Sequence, residues 1–285
     1  MANLKEIRTR ISSVTSTRQI TSAMKMVSAA KLRKAQDTVT GFKPYSEKLT
    51  HILADVSGSD AQIKYANKRD VKNVLIVVVS SNKGLCGAFN ANAAKKAISL
   101  AKNEYSQYNV SFATIGKKGG EYLEYNGFNV VAKHNEVFDN LTFDEVIPIA
   151  QGFMDSYLEE KFDRIDVVYN SFVNAATQIV EAEQYLPVNT EVEGGAKTQN
   201  DYIFEPNKEE ILENIIPLAL KTQVYKAVID SYASEHGARM TAMHKATDNA
   251  GDLLNDLKLT YNKARQASIT NEILEIVGGA EALKG

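Results

Sequence analysis

The sequence predicts an α/β protein whose two ends are long helices patterned to lie against each other, with a layered domain of strands and helices between them. Three observations predict it. A four-three alternation runs from Ile211 to Leu257, the spacing of a coiled-coil seam. Leu4, Ile7, Ile11 and Val14 fall on one helical stripe at the other end of the chain. Between residues 74 and 187 short apolar runs alternate with helical segments, the order that gives a mostly parallel sheet. Three regions follow: an N-terminal coiled-coil helix in 1–57, a central α/β domain with its linkers in 58–205, and a C-terminal coiled-coil helix in 206–285.

In the N-terminal helix a polar stretch, Thr15–Gln19, interrupts the stripe, which resumes in shifted form at Ile20, Met24, Val27 and Ala30. Gly41 and Pro44 are candidates to end or kink the helix, since proline lacks a donor and clashes with the preceding turn. Apolar spacing returns at Leu49, Ile52, Leu53 and Val56, and Ser57-Gly58-Ser59-Asp60 provides a stop. A continuous helix over 2–56 would span ~80 Å.

The C-terminal pattern is the more regular. Asn207 with Glu210 three residues later has the form of a helix N-cap. The seam then reads Ile211, Ile215, Leu218, Thr222, Tyr225, Ile229, Tyr232, His236, Arg239, Met243, Ala246, Ala250, Leu253 and Leu257, strong at its ends and polar or small in the middle. Pro217 is a point where this helix could restart. From there to Val277 is ~90 Å of helix. The shorter N-terminal helix cannot cover all of it, so one end should protrude. At that end the mixed stretch Tyr261–Glu272 is followed by Ile273, Leu274, Ile276 and Val277, more apolar surface than a frayed tail needs.

The centre reads as strands at Val74–Val79, Val110–Ile115, Asn129–Ala132 and Ile165–Phe172, with a last extended segment at Gln178–Pro187. Helices are predicted at Ala91–Tyr105, Gly120–Tyr125 and Phe143–Glu160. The result is a Rossmann-like domain, a mostly parallel sheet with one antiparallel edge. Glu193–Asn200 is a polar linker.

Composition narrows the function classes. The net charge of −2 argues against a general nucleic-acid binder, but the charge is segregated. Residues 1–34 hold eight bases against one acid, and residues 136–166 hold nine acids against two bases. Residues 1–40 contain no aromatic to stack on bases, so the basic helix is read as a surface for an acidic protein partner. The longest wholly apolar run, Val74–Val79, is far short of the roughly 20 residues that span a bilayer, and no secretory signal is recognised. Membrane association is therefore expected only through a partner. Cys86 is the sole cysteine, which fits a reducing compartment.

Candidate chemical sites are weak. Ser80–Gly87 follows the first strand, where phosphate is often cradled, yet its glycines and Lys83 do not match a P-loop or a dinucleotide fingerprint. A tight turn is the better reading there, and for Gly116-Lys117-Lys118-Gly119-Gly120. Cys86 is expected to be a half-buried structural thiol. His236 and His244 stand ~12 Å apart along a helix, too far for one metal ion, and His51 and His134 lack ligand-like neighbours. No catalytic residue, metal or cofactor is expected.

Several segments resemble the gamma-subunit family of bacterial F-type ATP synthases. They are Lys5-Glu6-Ile7-Arg8 with Ile20–Val27, Gly84-Leu85-Cys86-Gly87-Ala88-Phe89-Asn90, Arg239–Met243 with Ala246–Ala250, and Tyr261–Glu272. The resemblance implies an antiparallel coiled coil with an α/β foot, acting as a non-catalytic rotor shaft. It further implies a ring of alpha and beta subunits around the shaft, and epsilon and a membrane ring of c subunits at the foot. Membrane contact is then indirect, at the cytoplasmic face of the cell membrane. By the same resemblance Met24 and Lys25 would meet the lower loops of beta. Arg265, Gln266, Thr270 and Glu272 would meet the upper bearing region, and Arg239 lies in a further contact motif.

Overall fold

Six consecutive residues, Val74–Val79, are buried on both sides, which places their strand at the centre of a covered sheet. The computed structural model describes residues 4–57, 64–66, 69–188 and 208–282. In chain order the elements are α1 (Leu4–Ser57), β1 (Asn73–Val79), α2 (Phe89–Asn103), β2 (Asn109–Ile115) and α3 (Lys117–Tyr125). They continue with β3 (Val130–His134), a 3-10 turn (Glu136–Phe138), α4 (Phe143–Leu158), β4 (Arg164–Phe172), β5 (Gln178–Leu186) and α5 (Lys208–Ala282). The expected stop after Ser57, the linker Glu193–Asn200 and the Asn207 cap lie outside the described residues, as do the side chains of His51, Leu53, Val56 and Ile211.

The strand order is β3-β2-β1-β4-β5, parallel except for the antiparallel β4–β5 edge, as the alternation predicts. Alternate side chains of β1 feed two cores. Val74, Ile76 and Val78 meet α2 and α3 through Ala93, Ala97, Leu100 and Leu123. Leu75, Val77 and Val79 meet α4 and α5 through Ile149, Phe153, Val224 and Val228. Thr142 caps α4 by accepting from the Glu145 N–H, and Asp144 and Glu145 suit the positive end of that helix.

The chain divides into two compact units that cut across both long helices. One comprises Ser28–Arg239, the sheet domain with parts of α1 and α5. The other comprises Met1–Val27 with Met240–Gly285. Neither proline breaks its helix: α1 runs through Pro44 and α5 through Pro217. In both cases the carbonyl that loses its donor belongs to an exposed residue, Thr40 or Glu213, where water can satisfy it.

Two features of the seam differ from the sequence reading. From Thr222 to Gly237, α5 is buried on nearly every side and acts as the central helix of the sheet domain, so a two-helix seam describes it poorly. Gly237 is required there. A Cβ would lie 3.2 Å from the Ala175 Cα and carbonyl oxygen, in the β4–β5 turn that Asn174 Oδ1 closes.

The second difference concerns α1. Its inner stripe does not shift at Ile20. It continues the Ile7, Ile11, Val14 alternation through Thr21, Lys25, Ser28, Leu32 and Ala35, with Thr21, Ser28, Leu32 and Ala35 buried. Helical geometry holds one face inward whatever residues occupy it. Ile20, Met26 and Val27 consequently face outward, 60%, 65% and 58% exposed.

Candidate coupling surfaces

The two turns that resemble phosphate cradles are filled by the protein's own groups. At the start of α3, the Lys117 N–H donates to Asn82 Oδ1 (3.0 Å), the Lys118 N–H to the Ser81 carbonyl (2.9 Å) and the Gly119 N–H to Ser80 Oγ (2.9 Å). Gly116 donates to the His134 carbonyl at 3.0 Å. Its φ is +105°, and a Cβ there would stand 2.1 Å from the Ser80 carbonyl oxygen. The glycines in this run serve close packing against Ser80 and leave these amides nothing to offer an anion.

The Ser80–Gly87 turn is similarly self-contained. Asn90 accepts the Ser81 N–H at 2.9 Å and donates to Ser81 Oγ (2.8 Å) and to Cys86 Sγ (3.2 Å). Cys86 is 1% exposed, more buried than expected, and burial pushes its thiol pKa up, against nucleophilic use. Leu85 adopts φ +63° and is 65% exposed, so the turn holds an apolar side chain out in a conformation non-glycine residues seldom adopt.

Arg239 on α5 fastens this turn. Its Nη2 donates to the carbonyls of Lys83 (2.8 Å) and Gly84 (3.2 Å), and its Nη1 to Glu235 Oε1 (2.6 Å). Nη1 also lies 3.3 Å from His236 Nδ1. A guanidinium can only donate, so Nδ1 accepts and the imidazole proton sits on Nε2. Burial, then Arg239 and Lys31, push the His236 pKa down to about 3, which keeps the ring neutral. Burial raises the Glu235 carboxyl against the pull of Arg239. Arg239 was expected in a partner contact. It is 7% exposed with its guanidinium directed inward, so it positions the Lys83–Gly84 turn.

In the other unit, two cross-helix hydrogen bonds fix direction and register. Arg8 Nη2 donates to the Tyr261 hydroxyl at 3.4 Å, and Thr247 Oγ1 to Thr21 Oγ1 at 2.9 Å. Advancing along α1 retreats along α5, so the segments are antiparallel. Met243, Ala250 and Leu254 are buried on the α5 side. The expected Leu253 is 40% exposed and Leu254 takes its place, because the inner stripe spends two successive steps of four, Arg239 to Met243 to Thr247.

The proposed contact residues fall in two groups. Met24 and Lys25 are half-buried beside the exposed Met26 and Val27. Arg265, Gln266, Thr270 and Glu272 are all exposed, at and beyond the point where α5 outruns α1. Thr270 Oγ1 donates to the Gln266 carbonyl (2.9 Å), and Ser268 Oγ to Glu272 Oε1 (3.2 Å). Ile269, Ile273, Leu274, Ile276 and Val277 continue as exposed apolar surface, from 48% to 71%. The sequence reading missed the Thr21–Thr247 pair and the Ser80–Gly119 lock. The unbroken spacing through Thr21 and the clustered glycines were the available signals.

Among the described residues no helix is long and apolar enough to cross a membrane, and no cluster of His, Cys, Asp or Glu is arranged to hold a metal ion. Paired helices with outward-facing side chains, joined to a sheet domain whose cradle-like turns are filled, define a stalk-type subunit that acts by contact. The family profile described as ATP synthase matches residues 3–283. The ATP synthase gamma chain of Christiangramia forsetii is 58% identical, with all of both chains covered. A chain from the Tetrahymena thermophila mitochondrial ATP synthase central stalk and c-ring is 25% identical with a TM-score of 0.60, covering 80% of this chain and 99% of that one. A chain from the Euglena gracilis mitochondrial ATP synthase shares the fold, with a TM-score of 0.73 at 23% identity over 98% of this chain and 94% of that one. The chain belongs to the gamma-chain family of ATP synthases.

Proposed function

We propose that the chain is the non-catalytic central-stalk rotor subunit of an F-type ATP synthase, coupling proton flow through a ring of c subunits to ATP synthesis and hydrolysis on alpha and beta subunits. The observation that carries this is full-length likeness to gamma chains at 58% identity. The outward-facing side chains on both terminal helices agree with it. In this reading Met24 and Lys25 meet the lower loops of beta. Arg265, Gln266, Thr270 and Glu272 meet the upper bearing of the ring, and Arg239 acts through the turn it holds. The foot rests on epsilon and the c ring, which makes membrane contact indirect, at the cytoplasmic face.

The physical requirement is modest. Switching a catalytic site from 1:99 to 99:1 between two states takes about 5.5 kcal/mol of differential contact. A shaft whose faces differ can supply it in turn: α1 is basic near its start, carries Ile20, Met26 and Val27 outward, and gives way to an apolar α5 tip.

The test is reconstitution of the full chain with alpha and beta subunits. A stable complex with ATPase activity that the chain lacks alone is expected. Truncation after Tyr261 should weaken coupling more than assembly. Failure to associate, or tight stoichiometric binding of ATP or NAD to the chain alone in equilibrium dialysis, would overturn the rotor reading.

A further inference from the structure

The sequence contains a single Asn–Gly step, Asn126-Gly127. In such a step the next residue's own amide nitrogen can attack the asparagine side chain, because glycine puts no Cβ in the way. The structure places this step at the end of α3, where Asn126 is the C-cap and Gly127 follows with φ +80°. Both residues are exposed, and no atom lies within 4 Å of a Cβ built on Gly127.

Hydrogen bonds on both residues close the cap. The Gly127 N–H donates to the Glu124 carbonyl at 2.9 Å and the Phe128 N–H to the Leu123 carbonyl at 3.1 Å, the paired bonds that end a helix on a left-handed glycine. Asn126 Nδ2 donates to the Tyr122 carbonyl at 2.8 Å. Phe128 packs in the same core as the fully buried Leu123, which supplies the apolar contact of such a cap. The cap uses the left-handed backbone of a glycine at 127 and an amide donor at 126, and so is built from a chemically labile pair.

While closed, the cap also blocks the reaction. Ring closure requires the Gly127 nitrogen to eclipse Asn126 Cβ. The Asn126 ψ of 9° instead brings that nitrogen round to eclipse the residue's own backbone nitrogen. The attacking nitrogen must lose a proton that the Glu124 carbonyl holds, and the side-chain amide is tied to Tyr122.

We propose that Asn126 is a deamidation site gated by the α3 cap: it is preserved while the cap is closed and converts when the last turn opens. On opening, a bond forms between Gly127 N and Asn126 Cγ, the Cγ–Nδ2 bond breaks, and ammonia leaves with the proton of the Gly127 amide. Water then opens the cyclic imide. Cleavage between Gly127 N and Cγ leaves aspartate, and cleavage between Gly127 N and the main-chain carbonyl of residue 126 leaves isoaspartate. Either product opposes re-closure. Both lose the donor to the Tyr122 carbonyl and set a negative charge against the C-terminal end of α3, and isoaspartate adds a carbon to the main chain. The consequence is a one-way loosening of the end of α3 where it packs on β2 and β3. The inference does not rest on the rotor reading, because it concerns the chain alone.

The test is mass spectrometry of the peptide containing Asn126 after timed incubation of the full chain at pH 8.5 and 37 °C, in buffer and in unfolding urea. The folded chain should convert more slowly by roughly tenfold or more, since opening forfeits several hydrogen bonds of ordinary net strength. Phe128→Ala removes the apolar contact of the cap and should convert faster than the parent, with its far-ultraviolet circular dichroism unchanged. Equal rates in buffer and in urea overturn the proposal, as does an unfolded chain that keeps Asn126 intact. An unchanged rate in a folded Phe128→Ala overturns it equally. If Phe128→Ala does not fold, urea below the unfolding transition decides the matter. The parent's rate should rise with urea ahead of the global transition, and a rate that rises only with that transition overturns gating by the cap.

Discussion

Replacing Gly116 by alanine should damage the sheet domain more than any other single methyl added in the Gly116–Gly120 run. The new Cβ would stand 2.1 Å from the Ser80 carbonyl oxygen and 2.7 Å from its carbonyl carbon, both backbone atoms that no rotamer change can withdraw. The φ of +105° adds strain of order 1–3 kcal/mol for a residue with a side chain. Relief requires the end of β1 to move away from the start of α3. Such a move strains the bonds from Ser80 N–H to the Ile115 carbonyl (2.8 Å) and from Gly119 N–H to Ser80 Oγ (2.9 Å), each worth about 1 kcal/mol net. The total comes to about 3–5 kcal/mol. The chain has no tryptophan, so urea unfolding of the full chain is best followed by far-ultraviolet circular dichroism. Gly84→Ala is the control, since no atom lies within 4 Å of its Cβ and its φ is not in the left-handed region; it should stay within about 0.5 kcal/mol. A Gly116→Ala variant within 1 kcal/mol of the parent, by about the precision of such data, would refute the close-packing account.

Three further outcomes follow from the polar interior. Arg239→Met should cost about 3 kcal/mol in urea unfolding, because it strands the buried Glu235 carboxylate, and adding Glu235→Gln should recover a large part of the loss. Thr21→Val or Thr247→Val alone should cost about 0.5–1.5 kcal/mol by removing the cross-helix bond, because the hydroxyl that remains still donates to a backbone carbonyl, that of Met243 or Arg18, and the double variant should cost less than the sum of the two singles in a thermodynamic cycle. His236 makes stability depend on pH. Its folded value of about 3 lies below the unfolded 6.5, so the unfolded state binds the proton more tightly and stability is lost as pH falls below 6.5. Between pH 7 and pH 5 the His236 contribution should fall by about 2 kcal/mol, read as the change with pH in the stability difference between the parent and His236→Gln.

How far the sequence determined this picture differs by region. The sheet was legible because each strand is a short apolar run bounded by turn residues, and β1, buried on both faces, has no polar alternation to confuse it. The helices were legible in extent but not in facing. Where apolar residues lie on two adjacent faces, as at Ile20, Met24 and Val27 beside Thr21, Lys25 and Ser28, spacing alone follows the greasier face. The structure follows the continuous one. The same ambiguity misassigned Leu253 against Leu254. Arg239 shows another limit: the resemblance puts it in a contact motif, but the carbonyls it binds lie more than 150 residues earlier in the chain, brought in only by the fold.

The outward apolar residues have a physical consequence of their own. A helix pair selected only for its own stability would turn Ile20 and Val27 inward and Thr21 and Ser28 outward, gaining about 1.5–3 kcal/mol for each large side chain buried. The chain does the reverse: Thr21 is buried at 9% and Ser28 at 3%, while Ile20 and Val27 are more than half exposed. The hydroxyls keep the inner face narrow and paired through directed bonds such as Thr21–Thr247, which specify register at a cost in stability. The apolar side chains left outside are then free to meet a surrounding surface. They form a short patch, Ile20 with Met26 and Val27, bounded by exposed polar neighbours such as Gln19 and Arg18, so the apolar surface is confined to one face over two turns. For a shaft that must pass a series of partner sites, weak and angularly distinct contacts are what allow differential binding without arrest.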